Sequence, residues 1–452
     1  MLVVVYISLF LLSVLCTVVY LKLRISPKDP ARNPTFHLFQ TKYIYIYLLV
    51  VLGDWLQGPY LYRLYHFYGF LETQVAIIYV CGIISSTIFS PIKDIVADRF
   101  GRRKAAVFFC ILYALSCLAT LFRNYGVLVI GRCIAGLSNS ILFSTVETWY
   151  MHEHIETYDF PKEWIPVTFS HIAFGSSIIA VVAGVVADIV ARWLGHWMPF
   201  QSFGPASPFV VAVPVFLAAL ISILCLWTEN YGPKKTITWK SVQKSCGEGL
   251  KAIVQNVDIF LIGTIQSLFE SVLFIFAFIW TPALDIFHDI PLGIAFASFM
   301  VCFMLGGIIC DYLIAKVGYS MTRLLVVISS CASVVFLLAA YFARSKNATF
   351  YRMKILLCLQ LFELLCGFYF PIMRALREKV LPEEHQLSIV NWFRVPLTII
   401  SSIALLLFHD TSGGIPEIFV FCSVMMGMAF LFSFRFARAV RGSDEELTSE
   451  AT

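Results

Sequence analysis

The sequence predicts an all-α membrane protein, and three observations carry that expectation. Of 452 residues, 59% are hydrophobic and only 13% charged, whereas a soluble domain carries about a quarter charged residues. The apolar residues are gathered into long runs, many of which reach the about 20 residues a helix needs to cross a bilayer. A soluble core of this size would show shorter, amphipathic stripes instead. The basic residues also fall mostly on one side when the runs are threaded alternately through a membrane. Backbone groups in hydrocarbon must bond within their own segment, so the runs read as helices and not as strands.

Thirteen spans are expected. The first covers 2–21 and has neither a basic start nor an A-x-A site, so it is not read as a cleaved signal peptide. Twelve follow at 43–64, 73–95, 105–122, 127–149, 168–190, 207–228, 257–281, 291–314, 324–343, 354–375, 387–408 and 416–437. The polar break 229–256, with Lys234, Lys235, Lys240, Lys244 and Lys251, divides these twelve into six and six. The expected organisation is an extra N-terminal helix and linker (1–41), a six-helix half (42–228), a cytoplasmic central loop (229–256), a second six-helix half (257–437) and a cytoplasmic tail (438–452). With the Lys244 loop placed in the cytoplasm, 24 of the 33 Lys and Arg lie on that side, 7 outside and 2 within the membrane, as positive-inside insertion predicts. Arg344, Lys346, Arg352 and Lys354 run against the trend, but their loop holds Asn347-Ala348-Thr349, a glycosylation sequon that has meaning only outside. The Asn-x-Thr at Asn33 is blocked by Pro34. The N-terminus is therefore expected outside and the C-terminus inside, in a multi-pass protein of the cell membrane, because Ala451-Thr452 is no retention signal. The thirteen cysteines are scattered through apolar runs with no CxxC pair, so they read as small buried side chains.

Gly53-Asp54-Trp55-Leu56-Gln57 opens the first half and Gly263-Thr264-Ile265-Gln266 the second. Glycine-interrupted spans at matching positions point toward a central binding site. Between the second and third core spans lies Asp98-Arg99-Phe100-Gly101-Arg102-Arg103-Lys104. This stretch resembles the signature of the major facilitator superfamily, G-x-x-x-D-R-x-G-R-R/K, and departs from it at the opening glycine, where Asp94 stands. A degenerate copy, Asp311-Tyr312 through Gly318, follows the eighth core span, as a duplicated and diverged half would show. Asp98, Arg99, Gly101, Arg102 and Arg103 are thus expected in a gate, with Asp98 accepting from an Arg or a helix end and releasing it as the halves rock. The resemblance implies a major-facilitator-type fold. Arg132, with Gly131 and Gly136, resembles a superfamily motif tied to substrate or proton handling; the plain alternative is an Arg snorkelling to the surface.

Further stretches resemble the eukaryotic molybdate-anion transporter family: Asp54-Trp55-Leu56-Gln57 with Pro59-Tyr60-Leu61-Tyr62, Trp149 through His154, Glu163-Trp164-Ile165-Pro166, Gly263 through Gln266 with Glu270-Ser271, and Asn391-Trp392-Phe393-Arg394-Val395-Pro396. The likeness runs through nearly the whole chain. It implies high-affinity uptake of molybdate, a tetrahedral dianion, by a secondary transporter.

The residues admit such a cargo. An oxyanion in a membrane needs donors in place of water, and Arg is always charged and forked to match two oxygens. Arg394 lies within an apolar span, two residues before Pro396, and a charge there is a functional candidate by default. Arg394, Arg132, Asn391, Gln57 and Gln266 form the candidate binding set. Asp54, Glu147, Glu270 and Glu363 lie within or at the edge of spans, where a carboxylate can carry a proton; His171 is a further relay candidate. Coupling has a use, because a dianion moving against an inside-negative potential costs about 4.6 kcal/mol per 100 mV, from about 2.3 per charge. The competing structural reading pairs Glu147 and Glu363 with Arg132 and Arg394 to hold helices together. His152-Glu153-His154 lacks the HExxH spacing and reads as a solvated loop, not a metal site. Tyr60, Tyr62, Tyr65 and Phe67 read as an interfacial belt.

No phosphate loop, Ser-His-Asp set, zinc or dinucleotide signature is present, so neither an enzyme, a cofactor nor a nucleic-acid partner is expected. The expected partners are the oxyanion, the lipid bilayer and protons as coupling ion. Two rivals stay open: a transporter of this fold for another anion or organic solute, and a non-transporting sensor or scaffold that binds a partner through 229–256 or the acidic tail.

Overall fold

A computed structural model describes residues 2–23, 33–197, 204–232, 239–285, 290–344, 348–382, 384–408 and 411–450. Among them the chain is entirely helical: α1 (Leu2–Leu23), α2 (Pro34–Gln57), α3 (Leu61–Phe67), α4 (Glu72–Phe100), α5 (Arg102–Ala119), α6 (Tyr125–His152), α7 (Ile165–Trp197), α8 (Ser207–Leu226), α9 (Trp239–Gln255), α10 (Val257–Leu284), α11 (Leu292–Tyr312), α12 (Met321–Ala343), α13 (Ala348–Val380), α14 (Gln386–Leu407) and α15 (Thr411–Glu450). Twelve described helices are long and apolar enough to cross a membrane, α1 among them. The thirteenth expected span is α5. It opens on Arg102-Arg103-Lys104, which leaves a shorter apolar stretch than its neighbours have, yet it packs fully against α6 and α8. Asn347 lies outside the described residues.

The helices begin where the sequence supplies caps. Asn33 Oδ1 accepts from the amides of Thr35 and Phe36 at 3.0 and 3.2 Å, and Asn124 and Asn256 do the same for α6 and α10, satisfying donors a helix start leaves unpaired. Large apolar side chains such as Leu217, Ile221, Val327 and Leu337 stay exposed on the outer surface, as lipid-facing positions should.

Helices α2 and α4–α8 pack together, and α10–α15 pack together. The two groups meet along α7–α11 and α4–α14. At α7–α11 the backbones touch: a Cβ on Gly293 would stand 2.2 Å from the Gly184 carbonyl oxygen, and one on Gly184 would stand 2.6 Å from that of Gly293. Small residues permit this closeness, and packing contact replaces the hydrophobic drive that lipid does not provide. Helix α1 lies across this seam. Its Tyr20 stacks on Phe174 of α7 at 4.8 Å, Cys16 packs with Val301 and Leu305 of α11, and Ser8 accepts from Gln360 of α13 at 2.6 Å.

The end bearing Asp98 is called the basic end below, and the opposite one the far end. At the far end one ion pair joins the groups and a polar cluster forms beside it. Arg63 of α3 pairs with Asp285, beyond the end of α10, at 2.7 Å. Asp188 of α7, 2% exposed, accepts from Tyr60 at 3.0 Å and Tyr6 at 3.5 Å and pairs with Arg192 at 3.0 Å.

Several expectations are corrected. The central polar segment is not a plain loop: α9 occupies Trp239–Gln255 and packs on α14, where Trp392 Nε1 donates to the Cys246 carbonyl at 2.8 Å. Gly53 and Gly263 do not interrupt α2 or α10, which run through them; each makes room for a ring, Phe216 and Phe393 respectively. Glu153 and His154 are buried, not solvated: Asn230 donates to Glu153 at 2.9 Å, and the His154 ring bonds Tyr150 and the Pro161 carbonyl. Tyr60, Tyr62 and Tyr65 are buried and not in an interfacial belt, because α3 tucks under α10 and sets Tyr62 edge-on to Phe278; Phe67 is exposed.

Because Arg63–Asp285 joins the two groups, Arg63→Ala should lower the thermal midpoint of the detergent-solubilised protein. The loss belongs near the low end of the about 3–5 kcal/mol for breaking a buried pair, since Asp285 keeps the Ile290 amide. Arg63→Lys should recover part of it. A midpoint unchanged in Arg63→Ala would show that this ion pair does not hold the far end.

Candidate functional site

The site is set by how α14 seats on α10. A Cβ on Gly263 would meet the Phe393 ring at 2.1 Å, so the ring occupies the place a side chain would take. Ser267 Oγ, one turn along α10, donates to the Phe393 carbonyl at 2.9 Å. The next residue is about 100° further round the helix, and this turns Arg394 toward α4. There its guanidinium donates to Ser90 Oγ at 3.1 Å, and Ser90 Oγ donates to Asn391 Oδ1 at 2.7 Å. One turn along α14, Thr398 meets Thr87 at 2.6 Å. The seam between the groups is thus polar on both faces where lipid-facing positions are apolar.

Glu270 of α10 stands behind Arg394. Tyr369 of α13 donates to its carboxylate at 3.4 Å, Gln266 bonds it from one turn away, and the charges of Arg377 and Arg394 act on it. The Gln266 side-chain oxygen Oε1 is buried without a partner among the described residues. Toward the basic end, Glu147 of α6 lies within reach of Arg374, Arg377 and Glu378 of α13, and the Arg374 guanidinium stands 5.9 Å from the Phe169 ring of α7. Three guanidinium groups therefore converge on the second group's face of the seam, beside Glu147, Glu270 and Glu378. Such an arrangement can hold a multivalent anion through forked, charge-assisted bonds.

A second cluster lies inside the first group, nearer the far end. Tyr113 of α5 donates to Asp54 of α2, and the charge of Arg132 of α6 acts on the same carboxylate. The Arg132 guanidinium lies over the Tyr79 ring at 5.8 Å, and among the described residues its Nε is buried without a hydrogen-bond partner. Gly82 of α4 lies against that nitrogen, where a Cβ would be in ordinary contact at 3.6 Å.

The structure thus brings together Arg394, Asn391, Gln266 and Glu270, and separately Asp54 and Arg132. The pairings of Glu147 with Arg132 and of Glu363 with Arg394 are not formed: Glu147 faces the α13 arginines, and no described cation meets Glu363. Gln57 turns back to the Gly53 carbonyl at 3.2 Å, outside both clusters. His171 is exposed on α7, on one helical stripe with the exposed Ile178 and Val182, and touches neither cluster. Ser90, Tyr113, Tyr369, Arg374 and Arg377 are the additions. The two arginines sit where α13 runs past its apolar stretch, and sequence counting places them among the basic anchors.

The expected gate residues form a corner within the first group. Gly101 has φ +108°, and a Cβ there would press on the Glu229 carboxylate, so the corner needs glycine. Asp98 pairs with Arg102 at 2.8 Å, Arg102 also donates to the Thr148 carbonyl at 3.2 Å, and the Arg103 amide donates to Glu229 at 3.0 Å. Arg99 is exposed and lies 6.0 Å from the Phe100 ring. In the copy after α11, Gly318 likewise takes a positive φ of 75°.

Residues 1–364 match the family described as sugar transporters with twelve transmembrane segments. The chain is 41% identical over 415 residues to the molybdate-anion transporter of Xenopus laevis, covering 91% of this chain and 89% of that one. It is 35% identical over 465 residues to the molybdate-anion transporter of Danio rerio, covering 94% of each. The chain belongs to the molybdate-anion transporter family. Among solved structures, a POT family transporter in complex with a thioalcohol-conjugated peptide superposes with a TM-score of 0.66 at 12% identity, over 89% of this chain and 96% of that one. The nucleoside transporter NupG does so with 0.61 at 13%, over 88% and 98%. These likenesses show the fold: it is of the major facilitator type, and the family member is a multi-pass membrane protein.

Gly263→Val tests the seating of α14. Its added carbons collide with Phe393, and overpacking of this kind costs about 1–3 kcal/mol. The thermal midpoint should fall, and amide exchange should quicken in α14 around residues 391–394. Unchanged exchange there would show that Phe393 does not hold Arg394 in place.

Proposed function

We propose that this chain is a secondary transporter that takes up molybdate with high affinity by alternating access, and that Arg394 is its principal anion-binding residue. The observation that carries the reading is a half-buried guanidinium on the seam between two helix groups, bonded to Ser90 of the opposite group. A site on the seam is one that relative motion of the two groups can expose to either side. Membrane-embedded charge is costly and is kept where it meets a partner or a cargo. A neutral sugar would need hydrogen-bonding groups and no such charge, so among solutes carried by relatives the anion fits this seam better. Arg374 and Arg377 join Arg394 when the cargo arrives, with Asn391 and Gln266 as orienting groups.

In this reading the moving halves are 42–228 and 257–437, α1 is an addition outside them, and the basic end faces the cytoplasm. Protons travelling with the dianion would offset its charge. The rival within the same fold is a carrier of another tetrahedral oxyanion; sulfate that suppresses molybdate uptake at equal concentration would favour it.

The test is radiolabelled molybdate uptake in cells carrying wild type, Arg394→Lys or Arg394→Ala at matched surface expression. Loss of a charge-assisted contact is worth about 1.5–3 kcal/mol, so Arg394→Ala should lose about tenfold or more of its uptake at low molybdate. Arg394→Lys, charged but not forked, should fall between. Equal uptake by all three would remove Arg394 from the site.

A further inference from the structure

The four candidate coupling carboxylates differ in one respect that sequence cannot show. Asp54 has the Tyr113 hydroxyl and the charge of Arg132. Glu270 has Tyr369, Gln266 and two arginines. Glu147 has Arg374 and Arg377. Glu363 is 4% exposed, and among the described residues no hydrogen bond or ion pair meets its carboxylate. An ionised carboxylate in that setting is very costly, whereas a neutral acid is tolerated.

Its position is as telling as its isolation. Arg374 and Arg377 follow Glu363 by 11 and 14 residues on α13, about three and four helical turns, so the three share one face. At the level of Arg374 that face meets Phe169 of α7, and at the level of Glu363 it meets α11, where Gln360 one turn away donates to Ser298 and to Ser8 of α1. The titratable groups near Glu363 are the thiols of Cys302 on α11 and Cys366 on α13, with Cys16 of α1 beyond Cys302. From α10 comes Glu270, already engaged by Tyr369. On α12, Arg323 sits in the first turn at the basic end and Cys331 is exposed. Among the described residues, none nearby supplies a compensating positive charge.

We propose that Glu363 is the carrier of the coupling proton, and that Asp54 and Glu270 are fixed partners of the site and not carriers. The assignment rests on the transport reading above. The step is a simple one: a proton adds to a carboxylate oxygen in one arrangement of the two helix groups and leaves that oxygen in the other. No other bond forms or breaks. Each proton moved inward with the dianion offsets one of its two charges against the membrane potential.

The full-length chain in liposomes separates the possibilities. With membrane potential clamped, an inward proton gradient should drive molybdate accumulation by wild type, and an internal pH dye should report protons entering with it. Glu363→Gln should lose gradient-driven accumulation by about tenfold or more while keeping exchange of labelled for unlabelled molybdate. Glu363→Asp, which keeps the acid, should retain coupling with a displaced pH profile, and the dye measurement on wild type needs no variant. If wild type exchanges no molybdate, the transport reading itself fails. If wild type exchanges molybdate but ignores the proton gradient, follows a sodium gradient instead, or is matched by Glu363→Gln in accumulation, Glu363 is not the carrier.

Discussion

A guanidinium in hydrocarbon has to be held, and the contact that holds it here joins two bodies of the protein. Arg394 reaches Ser90 across the α4–α14 seam, and Ser90 in turn reaches back to Asn391. The rest of the local architecture serves that placement. Gly263 opens the seat for Phe393, Ser267 pins the adjacent carbonyl, and α9 braces the start of α14 through Trp392. A polar seam is only tolerable in a membrane when its groups find one another. The same bonds must be exchangeable if the two groups are to move apart, and a hydroxyl–guanidinium bond is of modest net worth.

The seam is not uniform along its length. At the far end, the ion pair of Arg63 with Asp285 and the bonds to Asp188 cross it or cluster beside it. Along α7–α11, glycine-to-glycine contact brings the backbones together. At Arg394 and Thr398 hydroxyl groups bridge the seam. Helix α1 lies over the glycine contact and touches both groups, so any sliding of α7 on α11 has to carry or shed it.

Much of the fold was legible because membrane insertion is governed by local hydropathy, which a sequence displays directly. The helices of both groups, the extra first helix and the corner at Gly101 all follow from runs of apolar residues and one glycine whose φ no other residue adopts readily. What was not legible depends on partners distant in sequence. Glu153 and His154 look like a solvated loop until Asn230 and Pro161 cover them. The helix α9 is too polar to signal itself by hydropathy, and its amphipathic face has meaning only against α14. Gly53 and Gly263 suggest breaks, yet they are seats for rings from other helices. In the candidate site, Arg394 was visible as a charge in an apolar run. Its partner Ser90 was not, because a serine in a span carries no signal of its own. The placement of Arg132 near Asp54 rather than Glu147 depends on how α2, α5 and α6 pack, and Arg374 and Arg377 were hidden among the residues that anchor helix ends.

The central claim is that molybdate binds at the guanidinium of residue 394. The most direct test is the stability of purified protein with and without the anion. A ligand at 100 times its dissociation constant stabilises the state it binds by about 2.7 kcal/mol. Molybdate should therefore raise the thermal midpoint of wild type in a concentration-dependent way and leave that of Arg394→Ala unmoved over the same range. An equal rise in both proteins would contradict the account.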